Sequence, residues 1–383
     1  MKIRISFALC LLLAAFVSTS CIREEAANAE CDIVGVDSIW LAAQPAGFIT
    51  GNPLIRNNSV TFLVRKNADR THLNPAFYIT PRARLFYKDA AGKRPFDATE
   101  YHDFTAPQTY VVVSEDGAWE KEYKVSFEDP QPIDSTDFEH FGYDERSQYQ
   151  ILYQTQTDGS LNANIWASGN AGFALTGMAH TPEDYPTTFI DGGVKGRCAK
   201  LETKSTGSFG SRVKMPIAAG NLFIGEFKVA QAMLYPLKAT RFGLQLVKSE
   251  PLSLSGYYKY KAGNTMTDKN GQVLAGRKDT CDIYAVLYEV DPTHFVPLQG
   301  DDVLSNPRIV SIARLDNPGE PEQWTHFSTP FRYQTGKSFD AGRMRRNGYA
   351  IAVVMTSSRQ GAFFEGAVGS TLYLDNIKIT WKQ

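Results

Sequence analysis

Long apolar runs, cysteine, net charge and metal-spaced histidine are all scarce in this sequence, and each shortage removes a class of protein. The one substantial apolar run, Ile5 to Val17, follows Lys2 and Arg4 and ends in small residues before Cys21. It is shorter than the roughly 20 residues a membrane-spanning helix takes, so residues 1–20 read as a signal peptide and Cys21 as the lipid-accepting first residue of the mature chain. The segment resembles a bacterial lipobox, although Ser18 stands where an aliphatic residue is usual. Residues 21–30 would then be a tether, and the expected location is the outer membrane of a Gram-negative cell, exposed at the surface, with Glu24-Glu25 as the sorting signal. Beyond Cys10 and Cys21 only Cys31, Cys198 and Cys281 remain. Three thiols cannot all pair, which excludes a disulfide framework. Cys198 and Cys281 read as buried free thiols, with a bridge between them as the alternative.

The balance of 40 basic against 41 acidic residues excludes an electrostatic attraction to nucleic acid. The six histidines never fall at metal-ligand spacing, and there is no phosphate-cradling glycine loop and no nucleophile elbow. No cofactor is required by anything in the sequence. From Phe138 onward it also shows no convincing amphipathic helix, and it has no internal repeat or low-complexity tract.

What it does have is aromatic residues, 12% of the chain, and many short alternating strands. The fold class expected is all-β: an immunoglobulin-like sandwich over residues 31–128, a linker over 129–137 and a large jelly roll over 138–383. The clearest element of the first part is "TYVVVSEDGAWEKEYKVSF", in which Trp119, Tyr123, Val125 and Phe127 share the phase expected to face the core. Residues 129–137 are acidic and carry two prolines, as a linker does.

In "CDIYAVLYEV", Asp282, Tyr284, Val286 and Tyr288 share one face, which could line a groove, and Cys281, Ile283, Ala285 and Leu287 share the other, expected to be core. In "GYYKY", Tyr258 and Tyr260 share a face opposite Tyr257 and Lys259. Sugar rings stack on aromatic faces and present hydroxyls to planar polar groups, so Tyr258, Tyr260, Asp282, Tyr284 and Trp166 are candidate carbohydrate contacts. Glu365, in the glycine-rich loop "SSRQGAFFEGAVGS" with Arg359, joins them. A laminarinase-type pattern of three acids on one strand is approached only by Glu289, Asp291 and His294, and Pro292 interrupts it. The last strand, "TLYLDNIKITW", changes apolar phase between Leu374 and Ile377, which predicts a β-bulge at Asp375-Asn376.

The segments "WASGNAGFAL", "YPTTFIDGGVKGRCAKLET", "AAGNLFIGEF", "LSGYYKYKAG", "DTCDIYAVLYE" and "SSRQGAFFEGAVGSTLYLDNIKI" together resemble the putative carbohydrate metabolism domain (PCMD) family. That resemblance implies a surface lipoprotein of glycan-foraging gut bacteria, with a glycan ligand and a glycan-uptake machinery as partners, and carries over no catalytic residues. "DFEHF" with Glu139 and "YLDNI" with Asp375 are similar to the first and last strands of carbohydrate-binding jelly rolls that share a structural calcium ion. Hydrogen bonding of Asp375 to backbone freed by the bulge is the alternative. The expectation favours a carbohydrate-binding protein over an enzyme. A glycoside hydrolase using two of Asp282, Glu202, Glu226 and Glu365 is the rival, and a structural or adhesion protein the third reading.

Overall fold

A computed structural model describes residues 28–45, 48–49, 53–55, 58–64, 68–128, 133–156, 159, 161–243, 245–247, 249–291 and 295–383. The leader, Cys21, the residues around it, part of the 129–137 segment, and Pro292 and His294 lie outside the described residues. The strands form where apolar residues alternate or run on, and they pair into an all-β, jelly-roll-like body. Among the described residues from 133 onward, every ladder is antiparallel.

Two sheets carry this part. One has six strands, with Thr187–Asp191, Arg197–Glu202, Thr371–Trp381, Pro251–Lys261 and Thr325–Pro330 side by side and Ser135–Thr136 on the margin. The other has nine, centred on Asn221–Phe227, Tyr349–Thr356, Asp282–Glu289 and Ile309–Arg314. Their facing sides make one core, in which Leu254, Tyr258, Tyr260, Leu372 and Leu374 meet Ile283, Ala285, Leu287, Ile351 and Val353. That is the packing of a two-layer β-sandwich.

The nine-stranded sheet is buried on its far side as well. Phe223, Phe242, Tyr284, Val286, Tyr288, Ala352 and Val354 form a second apolar cluster with Phe295, Leu298 and Val303 from a covering segment. Short helices Asn170–Ala174, Gly207–Arg212, Val229–Ala232 and Pro236–Ala239 add to that cover. A sheet covered on both faces needs apolar residues at every position. "YAIAVVMT" supplies them, buried from Tyr349 to Met355.

In the N-terminal part a sequence-based reading expects two packed sheets. Six strands form one mixed sheet, in the order Leu54–Ile55, Ser59–Leu63, Glu120–Glu128, Gln108–Val113, Arg84–Asp89 and Gly92–Pro95, with one parallel pairing between Ser59–Leu63 and Glu120–Glu128. Ile33–Val36 and Phe77–Ile79 make a separate two-stranded ladder. The core here is its own cluster, including Phe62, Phe104, Tyr110, Tyr123, Val125 and Phe127. Trp119 departs from expectation: it precedes the strand and is 63% exposed. Polar contacts join this part to the next, Asn164 donating to Thr61 at 2.9 Å and Asn162 to Glu128 at 3.1 Å.

The last strand carries the bulge that its phase slip predicts. Ser255 pairs with Lys378 and Tyr257 with Asp375, so Gly256 alone faces both Asn376 and Ile377. Asn376 takes φ +49°, which Asn tolerates better than most residues. Cys31, Cys198 and Cys281 are free thiols. Burial pushes the Cys198 thiol up to about 11 and that of Cys281 higher, as suits inert core residues.

Candidate functional site

The covered face of the nine-stranded sheet is open at one end, where a cavity of about 430 Å³ lies between the strands and the short helices. Asp282 and Tyr284, the first two outward positions of Asp282–Glu289, stand on its wall, as alternation requires once Ile283 and Ala285 face the inter-sheet core. Tyr284 pairs directly with Arg314 on the neighbouring strand, and Arg314 reaches diagonally to Asp282. Its Nε donates to Asp282 Oδ1 at 2.9 Å and its Nη2 to Oδ2 at 2.6 Å, a bidentate pair that raises the proton affinity of the guanidinium. Arg359 Nε lies 3.8 Å from Asp282 Oδ2. The Asp282 side chain is 3% exposed, so its charge depends on these two guanidiniums for compensation.

The remaining wall is mainly apolar and contributed by several elements: Phe173, Phe223, Phe227, Phe242 and the turn Gly361–Phe363. Tyr284 is buried, and that burial raises its hydroxyl above the ordinary tyrosine value. Arg359 and Phe363 come from the glycine-rich loop singled out in the sequence. Glu365 does not join them: it leaves the wall and pairs with Arg277 at 3.3 Å.

The other candidates are elsewhere. Tyr258 and Tyr260 are core residues between the sheets, Tyr258 donating to the Pro318 carbonyl. Alternation puts the two tyrosines on one face but cannot say which side meets the second sheet, and that face lies in the core instead of lining a groove. Trp166 is also core, with Nε1 donating to Gln154 at 2.9 Å. The four acids considered for hydrolysis are dispersed. Glu202 pairs with Lys200 at 2.6 Å on the outer face of the six-stranded sheet, and Glu226 pairs with Arg241 at 2.6 Å beside a second cavity of about 120 Å³. Among the described residues, Asp282 is the one carboxylate on the wall of the larger cavity.

The outer, half-buried face of "GYYKY" holds a second feature. Lys259 Nζ lies 4.6 Å from the Trp324 ring and 4.8 Å from the Tyr373 ring, and Tyr257 packs edge-on against His326. Trp324 Nε1 donates to Gly192 O at 3.3 Å. Trp324 was missed from the sequence because it precedes its strand and no alternation pointed to it.

Glu139 and Asp375 converge on one loop. Asp375 Oδ2 accepts from Val194 N at 2.6 Å and Lys195 N at 3.2 Å, and Oδ1 accepts from Asn376 N at 2.7 Å. Glu139 Oε1 accepts from Arg197 N at 3.1 Å. Burial raises the Asp375 proton affinity against those three N–H groups, and the nearby Glu139 charge adds to the rise. Among the described residues no group of three or more His, Cys, Asp or Glu side chains is arranged to hold a metal.

Residues 137–380 match a family described as "Putative carbohydrate metabolism domain" (PCMD). A solved structure of a putative glycoside hydrolase from Bacteroides thetaiotaomicron is 40% identical, with a TM-score of 0.81, over 94% of this chain and 99% of that one. A second putative glycoside hydrolase, from Bacteroides vulgatus, is 38% identical with a TM-score of 0.61, over 66% of this chain and all of its own. No curated protein matches the chain. The likeness to chains named as hydrolases, one of them along almost the whole length, corrects the expectation that a non-enzymatic role is favoured.

Proposed function

The chain belongs to the PCMD family, and on that premise we propose that it acts on glycans as a glycoside hydrolase, with substrate entering the larger cavity over the nine-stranded sheet. The observation that carries this reading is the likeness along 94% of the chain to a protein named as a putative glycoside hydrolase. The cavity adds a single carboxylate, Asp282, flanked by two guanidiniums. Arg314 holds Asp282 in one orientation on this wall, and the surrounding apolar residues strengthen that pair by excluding water. Asp282 is the carboxylate the reading assigns to the reacting bond. Two-carboxylate hydrolysis takes a second acid across that bond; among the described residues none lines this wall, so Asp282 takes the base's part, accepting a proton from the attacking water while the leaving oxygen takes its proton from solvent. The test is reducing-sugar release from a panel of polysaccharides by the full chain and by Asp282→Asn. Loss of about a hundredfold or more in rate is expected, in the range of removing a general acid or base; an unimpaired variant would remove Asp282 from the chemistry.

A second contact with glycan is supported by the half-buried row of Trp324, Lys259 and Tyr373, which brings two aromatic rings and a cation together on the outer side of the six-stranded sheet. On this reading Trp324→Ala weakens retention on insoluble polysaccharide and leaves turnover of short soluble substrates unchanged.

Two further proposals concern the setting of the domain. A lipid on Cys21 would hold the chain at the outer membrane, close to glycan-uptake machinery, with the N-terminal strands as a spacer resembling an immunoglobulin-like domain. The Glu139 and Asp375 carboxylates would hold a structural calcium ion at the loop of residues 192–197. A buried carboxylate beside a second one is a place where a hard cation offsets repulsion, and oxygen ligands suit calcium.

A further inference from the structure

The larger cavity has a polar inventory that does not match an unmodified sugar. Its wall carries seven phenylalanines, and the polar side chains between them are largely engaged with the protein itself. Asn221 accepts from Gly169 N at 2.8 Å and donates to Ala219 O at 3.2 Å. Thr176 donates to Phe173 O at 2.7 Å, Thr356 to Ser358 O at 3.2 Å, and Ser358 to Asp279 at 2.6 Å. A bare sugar ring would bring several hydroxyls to a surface that offers them few partners, and each hydroxyl left unpaired on burial weakens binding.

Charge is the exception. On the wall itself Arg314 and Arg359 are matched by the single carboxylate of Asp282, which leaves one positive charge in surplus among the described wall residues, although Asp316 lies off the wall near Arg314 and its backbone carbonyl accepts from Arg359. Arg359 Nε is buried without a hydrogen-bond acceptor, and its distance of 3.8 Å to Asp282 is too long to count as one. That N–H is enclosed by protein, but the Arg359 side chain as a whole is 26% exposed and stands on this wall, so an anionic oxygen in the cavity would meet the guanidinium and balance the charge. At the mouth, Leu175, Phe209, Val213, Met233 and Phe363 line the cavity yet are between 37% and 48% exposed. A ring of exposed apolar residues around an opening is a surface that an apolar group would cover.

Resting on the hydrolase reading above, we propose that the cavity takes the acidic end of a glycan that carries an aryl or acyl substituent. The apolar substituent lies among the phenylalanines, and one carboxylate of the sugar is met by Arg359 with Arg314 behind it. The site therefore selects against a neutral sugar by leaving the surplus charge unmatched, and against an acidic sugar without the substituent by leaving the mouth uncovered.

The experiment measures binding by the full chain, by calorimetry, of three probes: 4-methylumbelliferyl β-glucuronide, the matching β-glucoside, and free glucuronic acid. The aryl glucuronide is expected to bind at least tenfold more tightly than either of the others. Arg359→Gln should bring glucuronide and glucoside within a factor of about two of each other. Phe363→Ser, at a position that is 48% exposed, should weaken both aryl probes and keep the preference for the acid. Equal affinity of glucuronide and glucoside for the unaltered chain, or a preference that survives Arg359→Gln, overturns the proposal. Because binding is read without turnover, tight binding of the aryl glucuronide with no sugar release from polysaccharides sinks the hydrolase reading alone. Hydrolysis without charge discrimination sinks this inference alone.

Discussion

Replacing Arg314 by Gln separates what the buried charges do for folding from what the cavity does for substrate. Asp282 is 3% exposed and its oxygens accept from Arg314 at 2.9 and 2.6 Å, so the variant leaves a desolvated carboxylate with Arg359 as its remaining cation, at 3.8 Å and outside hydrogen-bond range. Breaking a buried pair by removing one partner costs about 3–5 kcal/mol. Arg314 itself is 30% exposed and Arg359 stays nearby, so the lower half of that range applies, about 3–4 kcal/mol. Urea unfolding of the full chain should show this as a fall in midpoint with an unchanged slope. The double variant Arg314→Gln with Asp282→Asn should recover much of the loss, since it removes the orphaned charge and not only its partner. A single variant within about 0.5 kcal/mol of the parent, the usual size of a surface change, would show that water reaches Asp282 and would refute the desolvation argument.

Tyr258→Ala should destabilise the chain by about 3–5 kcal/mol as a large core truncation, while Tyr257→Ala, one residue away on the outer face, should cost less than about 1 kcal/mol; equal effects in urea unfolding would contradict the assignment of faces. The proton affinity of Asp375 is raised on folding, chiefly by burial, so its contribution to stability is intact below the ordinary value of 3.8 and is lost as pH rises through the raised one. Asp375→Asn should flatten that part of the melting profile. Bound calcium would cancel the loss by stabilising the carboxylate, so a chelator should lower the Tm of the parent near pH 7 and not that of the variant; no change in the parent ends the calcium proposal. Cys21→Ala should release the chain from membranes, and retention of the unprocessed variant in the outer-membrane fraction would count against a lipid there.

The strands and their parity were legible because alternation is a local property, and the bulge was legible because a slip in parity has few other physical causes. Which face of a strand meets the core was legible only in part. Asp282–Glu289 and Tyr349–Thr356 are apolar on both sides because two different layers cover them, and a sequence cannot show a second cover made of helices of four to six residues. Such helices are too short to display a 3.6-residue period. For the same reason the cavity wall is legible only in part, at Asp282 and Tyr284 by alternation and at Arg359 through its glycine-rich loop. Arg314, Phe173, Phe209 and Phe363 come from separate elements and share no spacing. The N-terminal parallel pairing joins Ser59–Leu63 to Glu120–Glu128 across more than fifty intervening residues, and no local signal encodes it.

The slipped strand shows how one local irregularity is carried through to tertiary structure. With the apolar phase restored at Ile377, two residues must face one across the ladder, and the partner is Gly256, where a side-chain carbon would run into Ile377. Asn376 absorbs the extra residue at positive φ, and its N–H bonds Asp375 rather than the ladder. Asp375 is thereby held under the loop of residues 192–197 and caps two of that loop's N–H groups. The loop can approach so closely because of its glycines: a methyl group on Gly193 would strike the Arg197 carbonyl and the Asp375 carboxylate, and one on Gly196, at φ +67°, would strike Glu139. Glu139 is drawn to the same loop by Arg197 N, so the two acids are neighbours because both serve one backbone segment. Their repulsion is the cost of closing the strand ends this way, and it is the reason a cation at this point would stabilise the fold.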